Sequence, residues 1–314
     1  MQIDESAVDS DTYPRPEITM PSTIAKEKSY PHVKIKRVIH TIHAVIDIAA
    51  GRAKYLDVLG GLIFAEGYFE PEDRDMALLY VADFMIEPMA PRDAAREDKP
   101  FARYVRRNGQ RFHSFEIQIE NGREFSAKLK AAGYKLASDY GFFFFVRQES
   151  TGGVLLEVCE RPMPNDPYDR SGWRPGWAEG HNSSLLRLDH IACVTPNLDA
   201  VLALFTGQLD GELVADERIS VPQPARRVLL RLADTNVAFT QPDDTGEGPL
   251  VRFLAPPTSG IYALVWQVED ETVAEAFFQK KGLRTTREDC VSSGFAIEPE
   301  DFLGARHEFV RTLR

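Results

Sequence analysis

Five of the seven histidines in this chain, His40, His43, His113, His190 and His307, sit in or beside short apolar stretches. Imidazole is the side chain whose ordinary pKa lets it bind a metal or carry a proton near neutral pH. Glutamates stand in comparable stretches at Glu87, Glu157 and Glu308. Imidazole nitrogen with carboxylate oxygen suits a divalent first-row ion or Mg²⁺ better than a thiophilic metal. Two carboxylates in one apolar site can also divide the work between holding an ion and moving a proton. Taken singly, each residue has a plainer reading: a histidine hydrogen-bonded in a core, or a glutamate capping a strand end. Sulfur chemistry is disfavoured, because the three cysteines, Cys159, Cys193 and Cys290, are scattered and form no CxxC. No Walker loop, no GxGxxG after a strand, no GxSxG and no HExxH occurs, which removes the commonest nucleotide and hydrolase sites.

These residues need elements to hold them, and 314 residues with 43% hydrophobic and 27% charged content suffice for two packed domains. The formal charge of −11 argues against nucleic acid or an anionic membrane as main partner. A small-molecule substrate remains, and a homodimer is compatible with it. The acidic Met1–Asp11 segment lacks the apolar run of a secretory signal, and no uncharged stretch approaches bilayer-spanning length. A soluble protein in a reducing cytoplasm is expected. Residues 1–32, with Pro14, Pro16, Pro21 and Pro31 among polar neighbours, are expected to form an extended or disordered arm.

Beyond the arm the chain repeats. Four apolar strands, 38–45, 112–119, 188–194 and 262–268, lead to Asp47, Asn121, Asn197 and Asp270, residue types whose side chains accept the free N–H groups of a first helical turn. A helical stretch follows each, and then a glycine stop. Asp47 to Gly61 and Asn197 to Gly211 are each 14 residues apart, Asn121 to Gly133 and Asp270 to Gly282 each 12. Further strand-like stretches follow, among them 78–81, 84–87, 141–146, 154–158, 228–232, 237–239 and 307–310. The unit is therefore β-α-β-β-β, repeated four times; one unit cannot close a core, so the units pair. The expected fold is α+β, with each pair forming a curved, cup-like mixed sheet with helices outside. The expected domains are 33–162 and 186–314, joined by a linker at 163–185 whose Trp173 and Trp177 dock on one of them.

Paired β-α-β-β-β units resemble the vicinal-oxygen-chelate superfamily, which includes glyoxalase I, methylmalonyl-CoA epimerase, extradiol dioxygenases and bleomycin-resistance proteins. The resemblance spans residues 33–312. Segments 188–191, 83–88 and 152–157 are similar to that superfamily's first, fourth and epimerase-like final strands. It implies a metal held by one residue from the first and one from the fourth strand of each unit. His40, Ser114, His190 and Ala263 each stand seven residues before their helix cap; the fourth-strand positions are Glu87, Glu157, Ala238 and Glu308. The first quartet is then His40, Glu87, Ser114 and Glu157, with His40, Glu87 and Glu157 as ligands and Ser114 able to hold a water. The second is His190, Ala238, Ala263 and Glu308, where two positions lack donor atoms and a His–Glu hydrogen bond is the plainer outcome. In a regular strand His43 faces away from His40, and His113 away from Ser114. A one-residue bulge would turn His113 inward to make His40, His113 and Glu157, a set resembling the non-haem iron triad. His307 is expected to face outward. Alternate members of Phe142–Phe145 are expected to line the cup.

The resemblance implies a divalent metal ion, with Fe, Mn, Co, Zn, Ni and Mg all admissible. It also implies a metal-dependent lyase or isomerase acting on a small carbonyl or vicinal-oxygen substrate through a metal-stabilised enolate, with Glu87 or Glu157 shuttling the proton. The alternatives are an extradiol ring-cleaving dioxygenase using non-haem iron, and a non-catalytic small-molecule binding protein.

Overall fold

A computed structural model describes residues 32–169, 181, 183–243, 247–255 and 260–311. Apart from His32, the segment 1–32 expected to form an arm lies outside these residues, as do Trp173 and Trp177. The first unit runs β1 (Ile35–Ala44), α1 (Ile48–Leu59), β2 (Leu62–Phe69), β3 (Arg74–Val81) and β4 (Phe84–Pro91). After α2 (Pro100–Asn108) the second runs β5 (Arg111–Ile119), α3 (Gly122–Ala131), β6 (Leu136–Ala137), β7 (Phe143–Val146) and β8 (Leu156–Cys159). The third comprises β9 (Leu185–Val194), α4 (Leu198–Phe205), β10 (Glu212–Ile219), β11 (Ala225–Leu232) and β12 (Thr235–Pro242). Past α5 (Pro249–Leu254), the fourth comprises β13 (Gly260–Val268), α6 (Glu271–Lys280), β14 (Thr285–Thr286), β15 (Phe295–Ile297) and β16 (His307–Arg311).

Each pair of units makes one eight-stranded sheet, ordered β2-β3-β4-β1-β5-β8-β7-β6 and β10-β11-β12-β9-β13-β16-β15-β14. First and fourth strands of a unit pair in parallel, while β1 with β5 and β9 with β13 run antiparallel down the middle. The four metal-position strands are thus neighbours at the centre of each sheet.

Three helices begin as their caps dictate. Asp47 accepts from the N–H groups of Ala49 and Ala50, Asn197 from Ala200, and Asp270 from Thr272 and Val273. Asn121 does not: it lies in the left-handed region at φ 57° and its side chain caps nothing. The stops are less regular than the spacing predicts. Gly60, not Gly61, takes the left-handed turn after α1, and α4 ends at Phe205, well before Gly211.

The two faces of each sheet pack differently. Outer-face residues such as Ile117 and Leu230, with helix residues such as Phe125 of α3 and Phe278 of α6, belong to one apolar cluster that runs through both halves. Burying a phenylalanine there contributes roughly 1.5–3 kcal/mol. Phe115 of β5 stacks on Phe205 of α4 at 6.0 Å, and Tyr55 of α1 meets Phe302 at 5.1 Å. His32–Arg314 accordingly forms one compact unit. Cup-face residues form separate, smaller clusters. All three cysteines are free and buried. Among the described residues no helix is long and apolar enough to cross a membrane.

Candidate metal centre

Strand alternation sends every second side chain into the cup. In the first half this places His40 of β1, Glu87 of β4, Glu116 of β5 and Glu157 of β8 on one concave surface, all of them buried. Ile42 is the Cα partner of Glu87, and Glu116 that of Glu157. His40 Nε2 lies 2.9 Å from Glu87 Oε2 and 3.8 Å from Glu116 Oε2. Ligand atoms of His40, Glu116 and Glu157 all fall within 4.8 Å of one another, in the only such group among the described residues. Glu87 stands just outside that group, against the same imidazole nitrogen.

Nδ1 of His40, Oε1 of Glu116 and Oε2 of Glu157 are buried without a hydrogen-bond partner, and Nε2 of His40 has only the Glu87 carboxylate against it. Burial, then the charges of Glu157 and Glu87, holds the Glu116 carboxyl well above the usual range. Burial pushes Glu157 up to about 7, with His40 and Arg74 pulling the other way. Crowded acids and unmatched lone pairs are costly in an apolar cup. A divalent cation removes both costs, so this His/Glu cluster fits a divalent-metal site in charge, donor type and spacing.

Ser114 is not among the clustered atoms: its Oγ bonds His113 Nδ1 at 2.9 Å, and Glu116, two residues further along the same face, takes the expected place. Sequence reasoning missed Glu116 because the β1–β5 pairing slips at three points, between Ile35 and Arg37, Val38 and Thr41, and Ile42 and His43. Counting back from the helix caps ignores such bulges. The missed signal was a charged residue in the middle of the apolar run Phe115-Glu116-Ile117, where charges are rarely buried unless paired.

One of these slips lies beside His113 and turns it. Its ring packs on Tyr104 at 4.3 Å, Phe101 at 5.5 Å and Phe145 at 5.9 Å, and Phe145 is the Cα partner of Glu157. His113 therefore faces the cup rather than away, but it stays outside the ligand cluster. Burial, followed by the charge of Arg74, lowers its pKa to about 3.

His43 and His307 are buried where the two halves meet. His43 contacts the Tyr55 hydroxyl at 2.8 Å and the Leu303 carbonyl at 3.0 Å, and Trp266 Nε1 donates to His307 Nδ1 at 3.0 Å. His307 thus points off the cup, as expected, but into a packed interface rather than solvent.

In the second half, His190 and Glu308 have separate partners. His190 Nδ1 is 2.6 Å from Asp189 Oδ1. Glu308 accepts from Val291 N, Ser292 N and Arg306 Nε at 2.9–3.1 Å. The expected His–Glu hydrogen bond is replaced by these pairings. Val265, Cα partner of both His190 and Glu308, occupies the place of Glu116, where Ala263 was expected.

No protein-family model matches the chain, and no curated protein matches it by sequence. Solved structures do. A mutant of 4-hydroxymandelate synthase from Streptomyces coelicolor is 17% identical with TM-score 0.63, covering 88% of this chain and 92% of that one. The 2,3-dioxygenase LapB from Pseudomonas sp. KL28 is 15% identical with TM-score 0.57, covering 90% and 94%. A xylose isomerase-like TIM barrel/4-hydroxyphenylpyruvate dioxygenase fusion protein is 14% identical with TM-score 0.55, covering 90% of this chain and 50% of its own. At such identities the architecture alone is shared, and that architecture, four β-α-β-β-β units paired into two open cups, is the fold of the vicinal-oxygen-chelate superfamily.

Proposed function

We propose that the chain is a metal-dependent enzyme whose single working cup is the first, and that it catalyses lyase or isomerase chemistry on a small carbonyl compound. The observation that carries this reading is the buried His40–Glu116–Glu157 cluster with its unmatched donor atoms. These three residues would hold the ion. When bound, the ion supplies Lewis-acid polarisation of a carbonyl oxygen and stabilises charge developing there. Glu87, one step outside the cluster, takes a proton from the carbon beside the carbonyl and returns it. Met89 and Phe145, buried on the same face, keep bulk water from the exchanged proton.

The second reading is a ring-cleaving dioxygenase, favoured by the match to a 2,3-dioxygenase over nearly the whole chain. The donor set speaks against it: the facial triad of non-haem iron oxygenases has two histidines and one carboxylate, whereas this cluster has one imidazole and an excess of carboxylates. Metal analysis of protein purified without chelator is the test. His40→Ala, Glu116→Ala and Glu157→Ala should each drop the metal content to background, and His190→Ala should keep it. Glu87→Gln should retain metal yet lose exchange of α-deuterium across a panel of small carbonyl compounds. Metal that follows His190 instead would put the work in the other cup, and substrate-dependent oxygen uptake would favour the dioxygenase.

A further inference from the structure

The first cup contains a cation that the ion-binding cluster does not use. Arg74 opens β3 and is 3% exposed. Met76 and Tyr80 are Cα partners of Met89 and Met85 on β4. By alternation, Arg74, Met76 and Tyr80 therefore share the cup face with Met85, Glu87 and Met89. The Arg74 guanidinium carbon lies 5.2 Å from the Phe69 ring centroid and 5.3 Å from that of Phe101. Its charge reaches the centre, lowering the proton affinity of both Glu157 and His113.

Arg74 is only partly matched: Glu72 is the anion beside it, but among the described residues its fork makes no hydrogen bond to a carboxylate. Nη1 donates to the thioether sulfur of Met89 at 2.7 Å, a weak acceptor for a charged donor. Nε is 3.3 Å from Glu72 Oε2 but remains without a hydrogen bond. Glu72 is itself shared, since its Oε1 accepts from the Tyr140 hydroxyl at 3.3 Å. A buried guanidinium with a thioether and one off-line carboxylate is under-satisfied. Planar carboxylates fit its fork best. Beside it Phe69, Tyr140, Phe143 and Phe145 form an apolar cluster.

We propose that Arg74 is the anion anchor of the first cup, so that the substrate is a carboxylic acid whose carboxylate pairs with this fork and whose apolar body lies on the aromatic cluster. The assignment rests on the first cup being the working one and adds the chemical class it takes. A monoanion fits better than a phosphate, because one guanidinium among Glu72 and the central glutamates leaves little positive charge for a dianion.

The test compares phenylacetate with 2-phenylacetamide, its neutral analogue of the same shape, by calorimetric titration of the full metal-loaded chain. Phenylacetate should bind about tenfold tighter or better, the usual difference for a charge-assisted pair over a neutral one. Arg74→Met should bring the ratio near one with metal content unchanged. Arg74→Lys, which keeps the charge but loses the fork, should lower the ratio several-fold. Equal binding of acid and amide by the unmodified chain, or a ratio that survives either substitution, overturns the proposal. Repeating the titration on His40→Ala separates the two readings. An Arg74-dependent preference there shows that the anchor stands without the ion, and the same preference in an unmodified chain that holds no metal keeps the anchor while the ion assignment fails. Metal without acid preference does the reverse.

Discussion

The two cups share a fold and differ in how their acids are satisfied. In the first, Glu87, Glu116 and Glu157 surround His40, and buried oxygens of two of them find no partner. In the second, Ala238 and Val265 take the places of Glu87 and Glu116, and the remaining Glu308 is neutralised by Arg306 and two backbone N–H groups. Apolar side chains, among them Ala263, Leu250 and Val291, fill the rest. Removing two carboxylates and setting an arginine directly on the remaining one thus converts a set of unmet donors into a closed structural ion pair. A paired buried charge gives rigidity and binds nothing, whereas an unpaired set is costly until a cation arrives.

Substitutions of opposite sign break or sharpen this contrast. Arg306→Met leaves Glu308 buried without its countercharge and should destabilise the chain by about 3–5 kcal/mol, the usual cost of breaking a buried pair from one side. Glu157→Gln, at the equivalent position in the first half, removes an acid crowded by others and should raise the thermal midpoint of the metal-free chain. Denaturation of both variants checks the pair of outcomes. If Glu157→Gln were as damaging as Arg306→Met, the first cup would be a satisfied network and its reading as a metal centre would fall.

The next effect lies in the surface that the halves share. Burial, opposed by the Leu303 carbonyl, lowers the His43 pKa to about 4, and burial followed by the charge of His43 holds His307 well below its ordinary value. Both are uncharged in the folded chain, while the unfolded chain protonates them near 6.5. Below that pH the unfolded state binds more protons, so stability is present above 6.5 and is lost as pH falls towards about 4. For His43 alone the loss amounts to about 3 kcal/mol. His43→Gln should flatten the acid side of a urea-midpoint-versus-pH curve; an unchanged slope would mean that the interface opens before these groups titrate.

How much of this contrast was legible in the sequence depended on what each feature rests on. The four-unit repeat was legible because strand alternation, polar caps and glycine turns are local, and His40, Glu87, His190 and Glu308 come to their cup strands in the order that the repeat requires. Glu116 was not, because its place depends on strand register. His40 stands seven residues before Asp47, but Glu116 stands five before Asn121 and Val265 five before Asp270. Both antiparallel pairings at the sheet centres contain slips that no local pattern marks. A two-residue offset keeps the side chain on the same face, so alternation gave no warning. Arg306 was equally silent, since its pairing with Glu308 became visible only once both side chains had been placed.

The smallest expected effect separates the even units of the two halves. Asp270 begins α6 with a side-chain oxygen that accepts from Thr272 N at 2.8 Å and Val273 N at 3.1 Å. Asn121 begins α3 from a left-handed backbone, φ 57° and ψ 48°, with no such bond. Asp270→Ala should therefore cost about 1 kcal/mol in a urea titration, the ordinary price of a lost N-cap. Asn121→Gly should change stability by less than about 0.5 kcal/mol, because glycine enters the left-handed region without strain and the freedom it adds to the unfolded chain offsets that relief. A loss at Asn121 equal to that at Asp270 would mean that Asn121 caps α3 through its side chain after all. The turn between β5 and α3 would then be built like the one between β13 and α6, and the two halves would differ only in their cups.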